Sequence, residues 1–313
     1  MEISLVYWIG FIAFVIVMLM LDLGVFHKKD TEVKIKEAIL WSIFWISLAL
    51  LFNVGVYFVM GKAQALDFFT AYVLEKSLSV DNLFVFIMIF GYFNIAPKFQ
   101  HKVLFWGIFG ALIMRAIFIF AGVALIQQFS WIMYIFGIFL IYTGIHMIVG
   151  KNNNEEFDPN KNFIMRWFRK LMPVTDDTTG PSFFVRKNGI IYATPFFLTL
   201  LFIEASDVVF AVDSIPAVLS VSKDIFIVFT SNIFAILGLR SLYFALNGIM
   251  MYFYYLKYAL AGILSFIGLK MCINEFSAML EYDFHISNFV SLGIIITLLT
   301  VSIVFSVAKK NKK

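Results

Sequence analysis

The chain has 313 residues, of which 62% are hydrophobic, 19% aromatic and only 14% charged, and its mean hydropathy is +0.91. A soluble protein of this length needs more charge to cover its surface, so the composition excludes that class and indicates an integral membrane protein. The single cysteine excludes a disulfide framework and a cysteine-based metal site, and the net charge of +4 gives no reason to expect a nucleic-acid partner.

Nine apolar runs are long enough to cross a hydrocarbon core about 30 Å thick as helices. In chain order they fall at about residues 5–26, 38–60, 66–91, 103–126, 131–149, 193–219, 225–248, 256–272 and 287–308. The sequence therefore predicts an all-α polytopic membrane protein with about nine transmembrane helices. The first run has no basic residue before it and no cleavage site after it, which is typical of a helix and not of a signal peptide.

Basic residues between the predicted helices are distributed unequally. Eighteen lysines and arginines fall on the side that holds the C-terminus, and three fall on the side that holds the N-terminus. Because cytoplasmic loops carry the excess of Lys and Arg, we expect the N-terminus outside and the C-terminus in the cytoplasm.

The only long loop covers residues 151–192 and is expected in the cytoplasm. Apolar residues recur in it at helical spacing, with basic residues between them: Phe163, Ile164, Trp167, Phe168 and Leu171. This pattern predicts a short amphipathic helix that lies on the membrane surface and ends at Pro173. Asn188-Gly189, between two apolar pairs, predicts a tight hairpin turn.

Residues 63–150 and 193–272 resemble each other as two units of three helices, between a leading helix pair (1–62) and a last helix with a basic tail (273–313). The matched residues are Glu75 with Asp207, Asp81 with Asp213, Asn82 with Ser214, Arg115 with Arg240, and Tyr134, Leu140, Gly144 and Met147 with Tyr258, Leu264, Gly268 and Met271. Because each unit has an odd number of helices, the second must enter the membrane from the opposite face. Such inverted repeats are typical of transporters whose site lies near the midplane.

Five carboxylates interrupt the third and sixth apolar runs, and polar residues accompany them. The acids are Glu75, Asp81, Glu204, Asp207 and Asp213, and the accompanying residues include Ser79, Asn82 and Ser214. Five unpaired acids would cost on the order of 10 kcal/mol on insertion, and such residues usually mark ion or proton paths. Pairing with Lys76, Arg115 and Arg240 explains only part of this charge. We therefore interpret the acids as a candidate site, and the two arginines as counter-charges that hold the empty site together.

Helix geometry limits how these acids cooperate. Glu75 and Asp81 are six residues apart, as are Asp207 and Asp213, which rotates each pair by about 240° and separates it by about 9 Å along a regular helix. One straight helix cannot direct both members at a single ion, so we expect a site shared between the two units. Glu204 and Asp207 are three residues apart and share one helix face.

Pro216 is expected to kink or open the sixth helix beside Asp213, because it removes the hydrogen bond to the Val212 carbonyl, which could then serve as a ligand. Asp22, near the end of the first helix, is either a weaker site candidate or an interfacial cap. The expected ligands are carboxylate, amide, hydroxyl and carbonyl oxygens, which suit Mg²⁺, Ca²⁺ and Mn²⁺. The four scattered histidines add no ligand spacing.

Two segments, Glu75-Lys-Ser-Leu-Ser-Val-Asp-Asn and Glu204-Ala-Ser-Asp-Val-Val-Phe-Ala-Val-Asp-Ser-Ile-Pro-Ala, resemble the paired signature of the TerC family. Tyr192-Ala-Thr-Pro also fits, the similarity covers almost the whole chain, and the Alx-type branch looks closest. The resemblance implies a multi-pass protein of a bacterial-type inner membrane that exports Mn²⁺, in a family historically tied to tellurite resistance. It also implies that the cation site consists of Glu75, Asp81, Asn82, Glu204, Asp207 and Asp213.

We therefore expect a secondary transporter that exports a divalent cation, first of all Mn²⁺, with carboxylate protonation coupling export to inward proton movement. Mn²⁺ would be the transported ligand, no prosthetic group is expected, and the lipid bilayer is the one partner that the sequence assigns. A Ca²⁺ transporter on the same scaffold stays open, because oxygen ligands alone do not separate the two ions. A non-transporting scaffold in tellurite or membrane stress response also stays open. An enzyme is not expected, since no Gly-x-Gly-Asp, His-Glu-x-x-His or nucleophile–base pattern occurs.

Overall fold

The computed structural model describes residues 5–24, 35–129, 131–149, 172–175, 182–187, 189–247, 255–279 and 285–310. Within these ranges the chain forms ten α-helices and one β-hairpin. In chain order they are α1 (Leu5–Gly24), α2 (Ile35–Met60), α3 (Lys62–Tyr92), α4 (Pro97–Gln128), α5 (Ile132–Val149), β1 (Phe184–Lys187), β2 (Ile190–Ala193), α6 (Pro195–Leu219), α7 (Ile225–Leu237), α8 (Leu239–Asn247), α9 (Leu256–Met279) and α10 (Asn288–Lys310).

Most of these helices have the length and hydropathy of membrane-spanning segments. Seven described segments qualify: α2, α4, α5, α6, the pair α7–α8 taken together, α9 and α10. The chain is therefore an all-helical integral membrane protein, as predicted. The other two predicted spans, α1 and α3, do not meet these requirements of length and hydropathy, each for a different reason. The apolar part of α1, Leu5–Leu21, is shorter, and α3 carries Asp67, Glu75, Lys76 and Asp81 along its 31 residues.

Local sequence explains where several helices begin. Pro97 and Pro195 lie in the first turns of α4 and α6. A backbone N–H at this position has no acceptor within the helix, so proline, which lacks the N–H, costs no hydrogen bond there. The Asp224 carboxylate accepts hydrogen bonds from the backbone N–H groups of Phe226 (2.9 Å) and Ile227 (3.3 Å), which caps the N-terminus of α7.

The predicted seventh helix is not continuous, because it breaks at Gly238 into α7 and α8. The ammonium group of Lys76, on α3, donates a hydrogen bond to the Ala235 carbonyl at 3.0 Å. A Cβ at Gly238 would stand 2.9 Å from this ammonium group and 3.0 Å from the Trp45 Cβ, so glycine lets both side chains pack closely here. The lysine therefore supplies a donor and a positive charge to the C-terminal carbonyls of α7, where both are favourable.

Pro216 does not open α6, which is continuous from Pro195 to Leu219. The proline lies in the last turn, so the helix loses one bond near its end and needs no break beside Asp213. The Val212 side chain is 46% exposed, and Val212 does not belong to the cavity lining described below. The expectation of an opened helix at this point is therefore wrong, and the discontinuity lies at Gly238 instead.

The register of the two strands confirms the predicted hairpin. β1 and β2 are antiparallel, and Lys187 pairs with Ile190, which leaves a two-residue connection. Gly189 in that connection has φ +84°, a conformation that glycine adopts without strain. Asn188 and the predicted amphipathic helix at 163–171 lie outside the described residues.

The packing places α3 at the centre and joins α5 closely to α9. α3 contacts α2, α6, α7 and α10. α5 and α9 approach through glycines, since a Cβ at Gly144 would overlap Ala261 and Ser265, and a Cβ at Gly268 would overlap Gly137 and Ile141. Small residues at a helix interface let the two backbones come close, which stabilises helix pairs in lipid.

Candidate functional site

A cavity of about 160 Å³ lies between α3, α4, α5, α6 and α9. Its polar lining consists of Glu75, Asn82, Arg115, Thr143, Asp213 and Ser214. Its apolar lining consists of Leu78, Met147, Phe210, Leu260 and Leu264. Since one water occupies about 30 Å³ in the liquid, the cavity has room for an ion together with a few waters. The structure thus brings the acidic segments of α3 and α6 to one space.

Arg115 forms the charged wall of this cavity and is itself 1% exposed. Its guanidinium contacts the Glu75 carboxylate, reaches Asp207 Oδ1 at 3.4 Å and donates a hydrogen bond to Asn232 Oδ1 at 2.8 Å. Glu75 and Asp207 are almost fully buried. A buried carboxylate is tolerated when a charged, hydrogen-bonding partner faces it, so Arg115 balances one acid from each half of the chain.

Asp213 faces the cavity from α6 and is half-buried. The Thr143 hydroxyl, on α5, donates to Asp213 Oδ1 at 3.4 Å. Because Asp207 and Asp213 are six residues apart, the first turns to Arg115 while the second turns to the cavity, as the helix geometry predicts.

Two buried oxygens of the cavity lining have no hydrogen-bond partner among the described residues: Glu75 Oε2 and Ser214 Oγ. Glu75 and Ser214 are 0% and 2% exposed and belong to the lining. Buried polar atoms are almost always satisfied, so these oxygens call for an occupant of the cavity. Carboxylate oxygens only accept, so that occupant must present positive charge or hydrogen-bond donors.

The remaining predicted site residues lie elsewhere. The Glu204 carboxylate packs where a Cβ of Gly110 would stand, so Glu204 faces α4, as Asp207 does, and does not line the cavity. Ser79 is buried on α3 and Arg240 on α8, and neither belongs to the lining. The side chains of Asp81 and Asp22 are outside the described part of the chain, and Pro216 is buried within α6.

Among the described side chains, no three His, Cys, Asp or Glu residues are placed to hold a metal ion together. Glu75 and Asp207 both contact Arg115. A cation in the cavity would therefore use Asp213, one Glu75 oxygen, and neutral oxygens such as Asn82, with waters completing its shell.

Sequence reasoning missed Thr143 and Met147 of α5 and Asn232 of α7. Thr143 and Met147 are one turn apart and both line the cavity. Asn232 accepts a hydrogen bond from Arg115. Its position as a polar residue inside an apolar helix was the sequence signal that could have indicated this contact. Thr143 carried a weaker signal, since it directly precedes the matched Gly144.

A second buried polar cluster joins the start of α3 to α9 and α10. Lys270, only 2% exposed, donates to Asn288 Oδ1 at 2.6 Å. The Asn288 amide donates to Asp67 Oδ1 and to the Val221 carbonyl, each at 2.7 Å. This network ties four segments together and is separate from the cavity lining.

Comparison with known proteins gives one family. The sequence model described as "Integral membrane protein TerC family" matches residues 60–313. An uncharacterized membrane protein of Myxococcus xanthus, STKORF319, is 51% identical over 304 residues, covering 97% of this chain and 92% of the relative. A Salmonella typhi protein, provisionally named as a membrane-bound redox modulator, Alx, is 45% identical over 308 residues, covering 96% and 93%. No solved structure matches.

Proposed function

Because the chain belongs to the TerC family of integral membrane proteins, we propose that it is a secondary transporter that exports a divalent metal cation, above all Mn²⁺, from the cytoplasm. The observation that carries the proposal is the cavity between the acidic segments of α3 and α6. Its lining contains Glu75, Asn82 and Asp213, and some of its buried oxygens have no hydrogen-bond partner among the described residues. In a bundle of apolar helices, such groups mark an ion path.

The ligand chemistry supports a hard or borderline divalent cation. The available donors are carboxylate, amide and hydroxyl oxygens, which suit Mn²⁺, Mg²⁺ and Ca²⁺. Asp213 and Glu75 carry negative charge, while Arg115 neutralises part of it. This arrangement favours a cation over an anion. With the Asp207 carboxylate, which Arg115 also contacts, these groups carry a net charge of about −2, so a bound divalent ion brings the site near neutrality and lowers the cost of carrying the ion through lipid.

We further propose that 63–150 and 193–272 form an inverted repeat. The pattern of close contacts between α5 and α9 supports it. The alignment that matches Gly144 with Gly268 also matches Gly137 with Ala261 and Ile141 with Ser265 at the same offset. Gly144 approaches Ala261 and Ser265, and Gly268 approaches Gly137 and Ile141, so each contact has its reciprocal. Such self-complementary contacts are the property of a two-fold axis, here inside one chain.

The remaining parts of the proposal concern the membrane. α1 and α3 would complete nine spans, with α3 tolerating its charges because it is central and surrounded by other helices. The excess of basic residues supports an N-terminus outside and a cytoplasmic C-terminus in a bacterial inner membrane. Protonation of cavity carboxylates on release of Mn²⁺ would couple export to inward proton movement. The proposal assigns no enzymatic activity.

Two other functions are separable by experiment. A Ca²⁺ transporter would use the same oxygen ligands, and a tellurite or membrane-stress scaffold would not depend on the cavity at all. The relatives' provisional name ascribes redox modulation to them. An intramolecular disulfide cannot carry that activity here, since the chain has one cysteine.

The test is Mn²⁺ flux in proteoliposomes that contain the full chain and an internal Mn²⁺-sensitive dye. The wild-type protein should move Mn²⁺ faster with an opposing proton gradient, and Asp213→Asn should abolish this movement. Glu275→Gln, on α9 and away from the cavity lining, is the matched carboxylate control and should transport normally. Absence of Mn²⁺ movement in the wild type, with or without a gradient, would contradict the proposal.

A further inference from the structure

Met147 supplies the only sulfur atom among the described residues that line the cavity. Every other donor there is an oxygen or a nitrogen of Glu75, Asn82, Arg115, Thr143, Asp213 or Ser214. The rest of the wall is leucine and phenylalanine, which offer no donor at all. A methionine in this position therefore adds a kind of ligand that the acidic segments do not provide.

Met147 and the Asp213 carboxylate line the same cavity, from α5 and α6 respectively. Met147 follows Thr143 by four residues, so the two side chains lie on one helix face about one turn apart. Thr143 already donates a hydrogen bond to Asp213 Oδ1. Met147 is half-buried, packs against the apolar residues beside the cavity, and has three rotatable bonds that allow its sulfur to adapt to a ligand.

A thioether distinguishes divalent ions that oxygen ligands treat alike. Ca²⁺ takes six to eight oxygens, and Mg²⁺ demands oxygens in near-ideal octahedral geometry, so sulfur replaces a ligand poorly for both. Mn²⁺ shares the preference for oxygen ligands but belongs to the first-row transition metals, whose affinity for sites with nitrogen and sulfur donors rises from Mn²⁺ towards Cu²⁺. A cavity with two carboxylates and one thioether is therefore better matched to a transition-metal ion than to an alkaline-earth ion.

We propose that Met147 is the specificity-determining residue of the cavity and selects transition-metal ions such as Mn²⁺ against Ca²⁺ and Mg²⁺. The inference rests on the proposed function, since it needs a divalent cation in the cavity. It goes beyond that proposal because oxygen ligands alone leave the choice between Mn²⁺ and Ca²⁺ open.

The test compares metal binding by the purified full-length wild type with binding by Met147→Leu. Leucine has nearly the same volume and keeps the apolar packing, but it removes the sulfur. Mn²⁺ affinity and its competition by Ca²⁺ are measured by titration calorimetry. We expect the preference for Mn²⁺ over Ca²⁺ to fall by about tenfold in the variant, the lower end of the loss seen when a residue that supports a metal site is replaced, through weaker Mn²⁺ binding with Ca²⁺ binding unchanged. Met133→Leu, at a buried position of the same helix outside the cavity lining, is the matched control and should keep the wild-type preference.

X-ray absorption at the manganese edge gives a second readout that needs no variant. The Mn²⁺-loaded wild type should show one sulfur scatterer in the first coordination shell. An all-oxygen shell would overturn the inference, as would an unchanged Mn²⁺ to Ca²⁺ preference in Met147→Leu or an equal loss in Met133→Leu. If the wild type bound no divalent ion at all, the proposed function itself would fail, which is a distinguishable result.

Discussion

Replacing Arg115 by methionine tests whether this residue holds the empty site together. The guanidinium reaches Asp207 Oδ1 at 3.4 Å and also contacts Glu75, and all three residues are buried. At 3.4 Å and an effective dielectric constant of about 20, the attraction to one carboxylate is roughly 5 kcal/mol. Removing one partner from a buried ion pair typically destabilises a protein by about 3–5 kcal/mol, because a charge stays behind without compensation.

The assay is thermal unfolding of the purified protein in detergent. We expect Arg115→Met to lower Tm by roughly 5–8 °C, because an unfolding entropy of about 2.1 cal/mol/K per residue gives about 1.5 °C per kcal/mol for 313 residues. Glu75→Gln alone should cost less, because Arg115 keeps Asp207 and the hydrogen bond to Asn232. The double variant, Arg115→Met with Glu75→Gln, should recover part of the loss, since one uncompensated charge is gone. An Arg115→Met protein as stable as wild type, or a double variant less stable than Arg115→Met, would refute the reasoning.

Three further predictions concern neighbouring features. Glu204→Gln should leave Mn²⁺ affinity in calorimetry within about twofold of wild type, because this carboxylate faces α4 and not the cavity; loss of binding would place it in the site. Gly268→Leu should destabilise the α5–α9 pair by about 1–3 kcal/mol or more, seen as a lower Tm, whereas Gly293→Leu on α10, with open space around it, should not. Lys76→Met should cost about 1–3 kcal/mol by leaving a carbonyl of α7 without its donor, and an unchanged Tm would show that the break at the end of α7 does not depend on the lysine.

The sequence predicted the class of fold and two of the helices that line the cavity, because both depend on local patterns. Apolar runs of spanning length set the helices, and the matched acidic segments placed Glu75 and Asp213 on α3 and α6. The sequence did not predict the break at Gly238, where the Lys76 side chain from α3 bonds to the Ala235 carbonyl, because a contact between distant helices leaves no local pattern. Pro216 gave a misleading signal, because a proline in the last turn of a helix does not open it.

The composition of the cavity was predictable only in part. The six-residue spacing correctly separated Asp207 from Asp213, and the first pairs with Arg115 while the second faces the cavity. Which acid faces which neighbour depends on helix rotation, which the spacing within one helix does not fix. Glu204 belongs to the acidic segment of α6, but the rotation of that helix turns it towards α4 and away from the cavity. The contributions of α5 come from packing between the two units, for which the sequence carried little signal.

The most direct test of the account is anomalous scattering at the manganese edge from crystals of the protein grown with Mn²⁺. The account predicts one strong peak inside the cavity between α3 and α6, with Asp213 and Glu75 or Asn82 among the nearest residues. A peak at another position, such as the Asp67–Asn288 cluster, with the cavity empty at saturating Mn²⁺, would contradict it.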